Sequence, residues 1–279
     1  MIKLGTAPII QVPEQEFGFY SRPDLAGKTF LEAFEKELRQ YNPETLKKAL
    51  NGEFYFDSDG TLRGSNLPFN VLMNHKNLFP EDEHPLSIAE FGQAFNKNPE
   101  ASKEIYADTG IIARTPNDYF SENIIKQIKA RGKTPTPEEP IVISNTDLIP
   151  IQNKESRCGF VYKIKDRDGE ELIVAPAYGT AETITKFTIY DERGIPIPSE
   201  RGDKQIWKGD SGVSRVYSSY GQVVGSGDER LASSGGGGRV VVGKANVPQN
   251  IVEIEKLVQQ EEKRKKMAKI DLEKRVAKL

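Results

Sequence analysis

From Ile141 onward the chain reads as strands: Ile141-Val-Ile143, Gly159 to Ile164, Leu172 to Ala175, Thr183 to Tyr190 and Arg239 to Val242. Val, Ile, Thr, Phe and Tyr dominate these runs, and several alternate with polar residues at period two, the pattern of a half-buried strand. Asp166 to Gly169 and Asp191 to Gly194 place hairpin-turn chemistry between them. Consecutive hairpins build antiparallel sheet, so this region is expected to be a β-rich module rather than a parallel α/β sheet with helical crossovers.

The front half reads as mixed helix and strand. Phe30, Leu31, Phe34 and Leu38 fall on one helical face, and Asn42-Pro43 restarts a shorter helix with a cap and a first-turn proline. Ser87-Ile-Ala-Glu90 is a capping box that puts Phe91, Ala94 and Phe95 on a buried face. A third helix is predicted from Ser121 through Ile124, Ile125 and Ile128 to Gly132, which sits where a left-handed cap belongs. The run Lys133-Thr-Pro-Thr-Pro-Glu-Glu-Pro140 then stiffens into an extended linker, and the main domain boundary is expected there. Beyond Pro248 a charged helix is predicted, with Ile251, Ile254, Leu257 and Val258 apolar but Glu261 and Lys265 breaking the heptad. The expected organisation is residues 1–139 as a mixed region, 140–247 as the β-rich module and 248–279 as the helical tail.

Composition narrows the partners. The 39 basic and 41 acidic side chains nearly cancel, and the tail's nine basic against six acidic residues are too few to argue nucleic-acid binding. Neither a signal peptide nor eighteen consecutive apolar residues is found, so no membrane insertion is expected and the protein reads as cytoplasmic or virion-associated. Cys158 is the single cysteine and reads as a small buried residue, with a reactive thiol as the alternative. Two histidines far from that cysteine argue against a zinc cluster, and neither a metal nor a cofactor is expected.

Several motifs imitate catalytic sites. Asp57-Ser-Asp59-Gly60-Thr61 matches the DxDGT signature of haloacid-dehalogenase-type phosphatases, in which one Asp attacks phosphorus and Mg²⁺ assists. The expected run of hairpins argues against that fold's parallel strands, and a plain hairpin turn is the favoured reading. Gly238 to Ala245 imitates a phosphate-binding loop but places an apolar strand inside it, and Ala245 has no hydroxyl for magnesium. Gly209-Asp-Ser-Gly212 resembles a serine-protease nucleophile without a supporting pattern at His75 or His84, and Arg201-Gly-Asp203 is a short string that recurs by chance in loops.

Between Ser211 and Gly238 there are seven serines and eight glycines among 28 residues, with two tyrosines and no Lys, Asn, Thr or Pro. A free linker would not intersperse Val213, Val216, Val223, Val224, Leu231 and Ala232, which are expected to pin the segment to a core. Ser, Gly and Tyr displayed between such pins have the chemistry of an antibody paratope. Randomising the adenines of an Asn codon yields Ser, Gly, Tyr, Asp, Arg, Val, Leu and Ala but no Gln or Glu, and only Gln222 and Glu229 of this segment fall outside its products.

Trp207-Lys-Gly-Asp-Ser-Gly-Val-Ser-Arg215, Leu231-Ala-Ser233 and Gly238-Arg-Val-Val-Val242 together resemble the fixed frame of the variable proteins of diversity-generating retroelements. That resemblance implies an α+β, C-type-lectin-like fold with a variable display segment over 207–242, and a ligand site facing solvent. Tyr217, Ser218, Ser219, Tyr220, Gly225, Ser226, Asp228, Ser234 and Gly236 are then the displayed positions, with Trp207, Val213, Val216, Leu231 and Arg239 as scaffold. The ligand expected is variable, a protein surface by preference, and the tail offers self-association. Binding rather than catalysis is expected, with two alternatives: a phosphatase using Asp57 and Asp59, or a particle component assembling through the last helix. The front region is also open to a second reading, as part of one larger lectin-like domain, since that fold brings early and late strands together.

Overall fold

The strand Tyr106–Ala113 (β5) is the element around which the others assemble. The computed structural model describes residues 17–19, 55–56, 62–64, 67–75, 79, 83–102, 106–153, 155, 160–166, 172–219, 222–226 and 240–244. Within them β5 lies at the centre of a five-stranded antiparallel sheet. On one side it pairs with Val213–Ser219 (β13), which carries Gln222–Ser226 (β14) outside it. On the other it pairs with Ile141–Ser144 (β6), and Ile173–Val174 (β9) follows.

Both faces of this sheet are covered, so Ile111, Ile112 and Ala113 are all buried, as are Ile141, Val142 and Ile143. On one face Ile111, Ala113, Ile141, Ile143 and Val213 meet the helix Tyr119–Ala130 (α3), the helix Leu67–His75 (α1) and the hairpin of Leu148–Gln152 (β7) with Phe160–Ile164 (β8). On the other, Ala107, Ile112, Val142 and Val216 meet Phe91 and Phe95 of the helix Ile88–Lys97 (α2), together with Tyr178, Phe187 and Tyr190. Phe187 and Tyr190 belong to a small sheet of Lys186–Tyr190 (β10) flanked by Pro196–Pro198 (β11) and Lys204–Gln205 (β12). Phe17–Phe19 (β1) pairs antiparallel with Val241–Lys244 (β15), which also borders Glu83–Pro85 (β4).

The local signals in the helices hold. Ser87 accepts from the Glu90 N–H while the Glu90 carboxylate receives the Ser87 N–H and hydroxyl, and Phe91, Ala94 and Phe95 are buried. Burial pushes the Glu90 carboxyl up, but hydrogen bonds from Ser87 and His84 outweigh it and hold the group below its ordinary value. That stabilisation is present above the ordinary carboxylate range and is lost as pH falls through the lowered value. Ser87→Ala is therefore expected to cost about 1 kcal/mol in urea denaturation at neutral pH, and less in acid. In α3 the cap is Asp118, three residues before the predicted start, and Gly132 closes the helix at φ +78. The Asp191–Gly194 turn joins β10 to β11: Asp191 Oδ1 accepts from the Arg193 and Ile195 amides. Gly194 is at φ +77, where a Cβ would lie 2.0 Å from the Ile88 carbonyl oxygen.

Three expectations are corrected. The run from Lys133 to Pro140 does not separate domains, because β5 before it pairs with β6 and β13 after it; Phe17–Gly243 is one compact unit. The run is a connection packed in place, with the Ala175 amide donating to Pro140 O, the Thr180 amide donating to Pro137 O, and Gly179 so close that a Cβ would meet Glu138 O at 1.9 Å. The strands after Ile141 are not an unbroken run of hairpins either: β7–β8, β10–β11 and β13–β14 pair sequence neighbours, but β9 pairs with β6 and β12 with β10. Finally, the Ser/Gly-rich stretch contains two paired strands, β13 and β14. The helices expected around Phe30 to Leu38 and after Asn42, Cys158, and the tail from Pro248 lie outside the described residues.

Candidate functional site

The Ser/Gly-rich segment begins as a strand paired into the sheet. Val213, Ser214, Arg215 and Val216 stand opposite Ala113, Ile112, Ile111 and Gly110 in register, after which Tyr217 stands opposite Asp108. Thr109 is the residue left over, a bulge on β5, and its hydroxyl donates to the Val216 carbonyl at 3.2 Å. A bulge reverses the alternation beyond it. Asp108 thereby leaves the side of Gly110 and Ile112 for the side of Arg215 and Tyr217.

There Arg215 Nη1 lies 3.3 Å from Asp108 Oδ1, in an ion pair whose side chains are 5% and 0% exposed. The same guanidinium stacks on the Tyr217 ring at 4.6 Å, so the half-buried tyrosine is held by a cation–π contact as well as by its strand. Asn70 and Asn145 both donate side-chain N–H to the Asp108 carbonyl. Beside them Asp108, Thr109, Asn70 and Asn145 line a cavity of about 10 Å³, room for about one water.

The opposite face carries a second buried guanidinium. Arg114 has no exposed surface and its Nη1 donates to the Ser214 hydroxyl at 2.7 Å. Burial pushes its pKa down to about 10, opposed by the negative charge of Asp210. The loop 207–212 runs over it: Gly209 lies with its backbone against the guanidinium, where a Cβ would sit 3.3 Å from Cζ. Gly212, at φ +69, is tied by its amide to Thr115 O and by its carbonyl to the Arg114 amide. Lys208 donates its ammonium to the Glu182 carbonyl.

The structure places the anticipated residues unevenly. Val213 and Val216 are buried on opposite faces of the sheet, the place of scaffold residues. Trp207 is not scaffold: it is 55% exposed, because alternation along Lys204, Gln205, Ile206 and Trp207 sends Ile206 into the core and the indole outward. Ser218 is not displayed: it is 1% exposed, opposite buried Ala107 and on the covered side that Val216 also faces. Ser219, Gly225 and Ser226 are strand residues, with Gly225 opposite Val216 and Ser226 opposite Arg215. Tyr220, Asp228, Leu231, Ser234, Gly236 and Arg239 lie outside the described residues.

Asp57 and Asp59 also lie outside them, between Tyr55–Phe56 (β2) and Leu62–Arg63 (β3), which pair antiparallel as a hairpin requires. Ser211 donates to its neighbour Asp210 at 3.3 Å, and His84 is engaged with Glu90 at 3.0 Å. Arg201 and Asp203 are exposed, with Gly202 pressed on the Phe187 backbone. Sequence reading missed Asp108, Arg114 and the structural part of Arg215, since isolated charges in or beside unrecognised strands carry no local pattern.

Such an arrangement fixes backbone and presents an aromatic side chain; it is suited to holding a partner. Among the described residues no cluster of three or more His, Cys, Asp or Glu is placed to hold a metal, and no helix is long and apolar enough to cross a membrane. No protein-family model, no curated protein and no solved structure matches this chain.

Proposed function

We propose that this chain is a ligand-binding protein that presents the surface following β12, with Trp207 at its head, and that it is a variable protein of a diversity-generating retroelement with a C-type-lectin-like fold. The observation that carries the reading is the contrast within one short segment. An exposed tryptophan on a loop precedes a strand whose register is locked on both sides. Binding sites of adaptable composition need a rigid frame beneath them, and an aromatic residue with a solvent-facing ring is a favoured anchor. The pairing of β1 with β15 brings early and late strands together, which supports the lectin-like part of the reading. All four pairings of the five-stranded sheet are antiparallel, as are β1–β15, β2–β3, β7–β8, β10–β11 and β10–β12, which favours a binding module over a phosphatase built on parallel strands.

Trp207→Ala is expected to leave the unfolding midpoint within roughly ±0.5 kcal/mol of wild type, as exposed substitutions do. Its capture of ligands selected from a displayed protein library is expected to fall by about 2 kcal/mol or more. A lowered midpoint with unchanged capture would return the indole to the scaffold and remove the reading. A reverse-transcriptase gene and a near-copy template beside this gene are the expected genomic companions; their absence would remove the retroelement part and leave the binding part standing.

A further inference from the structure

Arg114 is a buried cation whose hydrogen bonding is half complete. Its Nη1 edge is used by Ser214, but Nε and Nη2 have no partner among the described residues. These two are not arbitrary donors: Nε–H and Nη2–H lie parallel along one side of the guanidinium, the fork that matches two oxygens of one oxyanion. A third buried donor without a partner among the described residues, the phenol of Tyr178, lies within electrostatic reach of Arg114. Leaving a buried charge and its donors unmet costs several kcal/mol, and folds keep such groups where something meets them.

We propose that the Nε/Nη2 edge of Arg114, beneath the loop Trp207–Gly212, is a binding site for a carboxylate. The class follows from the donors and the charge. One guanidinium whose charge is partly offset by Asp210 suits a single negative charge. Two parallel N–H groups match the two oxygens of a carboxylate, whereas a phosphate dianion brings more acceptors and more charge than this fork can meet. A water offers two acceptor lone pairs and leaves the positive charge unanswered.

Access is through the loop. The backbone of Trp207–Ser211 makes no hydrogen bond to the rest of the described residues; it is held at its ends, by the Lys208 ammonium on Glu182 O and by the Gly212 bonds to Thr115 and Arg114. Segments so weakly bonded open at low cost. The outermost residues of the loop, Trp207 and Asp210, are exposed. This site does not depend on the display reading, since its chemistry lies behind the loop rather than on it.

The test is a titration of the full chain with sodium acetate against sodium chloride at equal ionic strength, with inorganic phosphate as a third arm. It is read by thermal unfolding and by the ¹⁵N resonance of the Arg114 Nε–H. The expected result is a saturable, acetate-specific rise in midpoint with a shift of that resonance. Arg114→Met should abolish the rise. Arg114→Lys keeps the charge without the fork, and if the Met variant fails to fold it carries the comparison alone, with apparent affinity falling on the order of tenfold. No acetate effect beyond chloride, or the same effect in Arg114→Lys as in wild type, overturns the site and leaves ordered water as its occupant. Phosphate acting as strongly as acetate overturns the carboxylate assignment.

Discussion

Arg215→Met is expected to cost the fold about 3–5 kcal/mol, the loss that follows when one partner of a buried ion pair is removed and the other charge is stranded. Asp108 has a side chain with no exposed surface, and the bulge at Thr109 commits it to the side of the sheet where Arg215 stands. It cannot turn back to water without breaking the β5–β13 register. Methionine fills most of the volume of the arginine stem, so the loss reports the charge rather than a void. The paired change Arg215→Met with Asp108→Leu removes both charges, and most of the lost stability is expected to return. Chemical denaturation of the three variants at a common slope gives the coupling directly. A loss below about 1 kcal/mol for the single change would mean the pair is solvated, as surface ion pairs are. Tyr217 is coupled to the same event, because the cation under its ring leaves with Arg215.

What could be read from the sequence was what is decided within a few residues. The capping box at Ser87, the glycine at 132 and the Asp191 turn are local chemistry, and all three stand where the pattern puts them. The central strand was invisible for a physical reason: a sheet covered on both faces buries successive residues, so Ile111-Ile112-Ala113 shows no period-two alternation. β13 and β14 were hidden by their serines and glycines, which are poor strand formers; β13 is a strand because β5, about a hundred residues earlier, supplies its partner, and β14 pairs in turn with β13. At Trp207 and Ser218 residue type alone points the wrong way on exposure. Alternation from the buried Ile206 and Val216 decides both, sending the tryptophan out and the serine in. Arg114 and Asp108 had no signal at all, because a buried charge is defined by what surrounds it.

Separating the chain between Glu139 and Pro140 is expected to abolish folding of both pieces. The cut leaves β5 in the first piece with neither of its neighbours, and leaves β6 and β13 in the second with nothing between them. Both cores are divided as well: Phe91, Phe95 and Ile112 are parted from Phe187 and Tyr190, and Ile111, Ile124 and Ile128 from Ile143 and Tyr162. Since a domain's whole stability is only about 5–15 kcal/mol, losing the middle of the sheet exceeds the margin several times over. Residues 1–139 and 140–279, produced singly, should show no cooperative thermal transition and rapid proteolysis. Mixed after denaturation, they are expected to recover a cooperative transition, because the pairings that hold β5 need proximity rather than the covalent link. Cooperative unfolding of 140–279 alone would restore a self-sufficient β-rich module with its boundary at the proline run, and the central role assigned to β5 would fall with it.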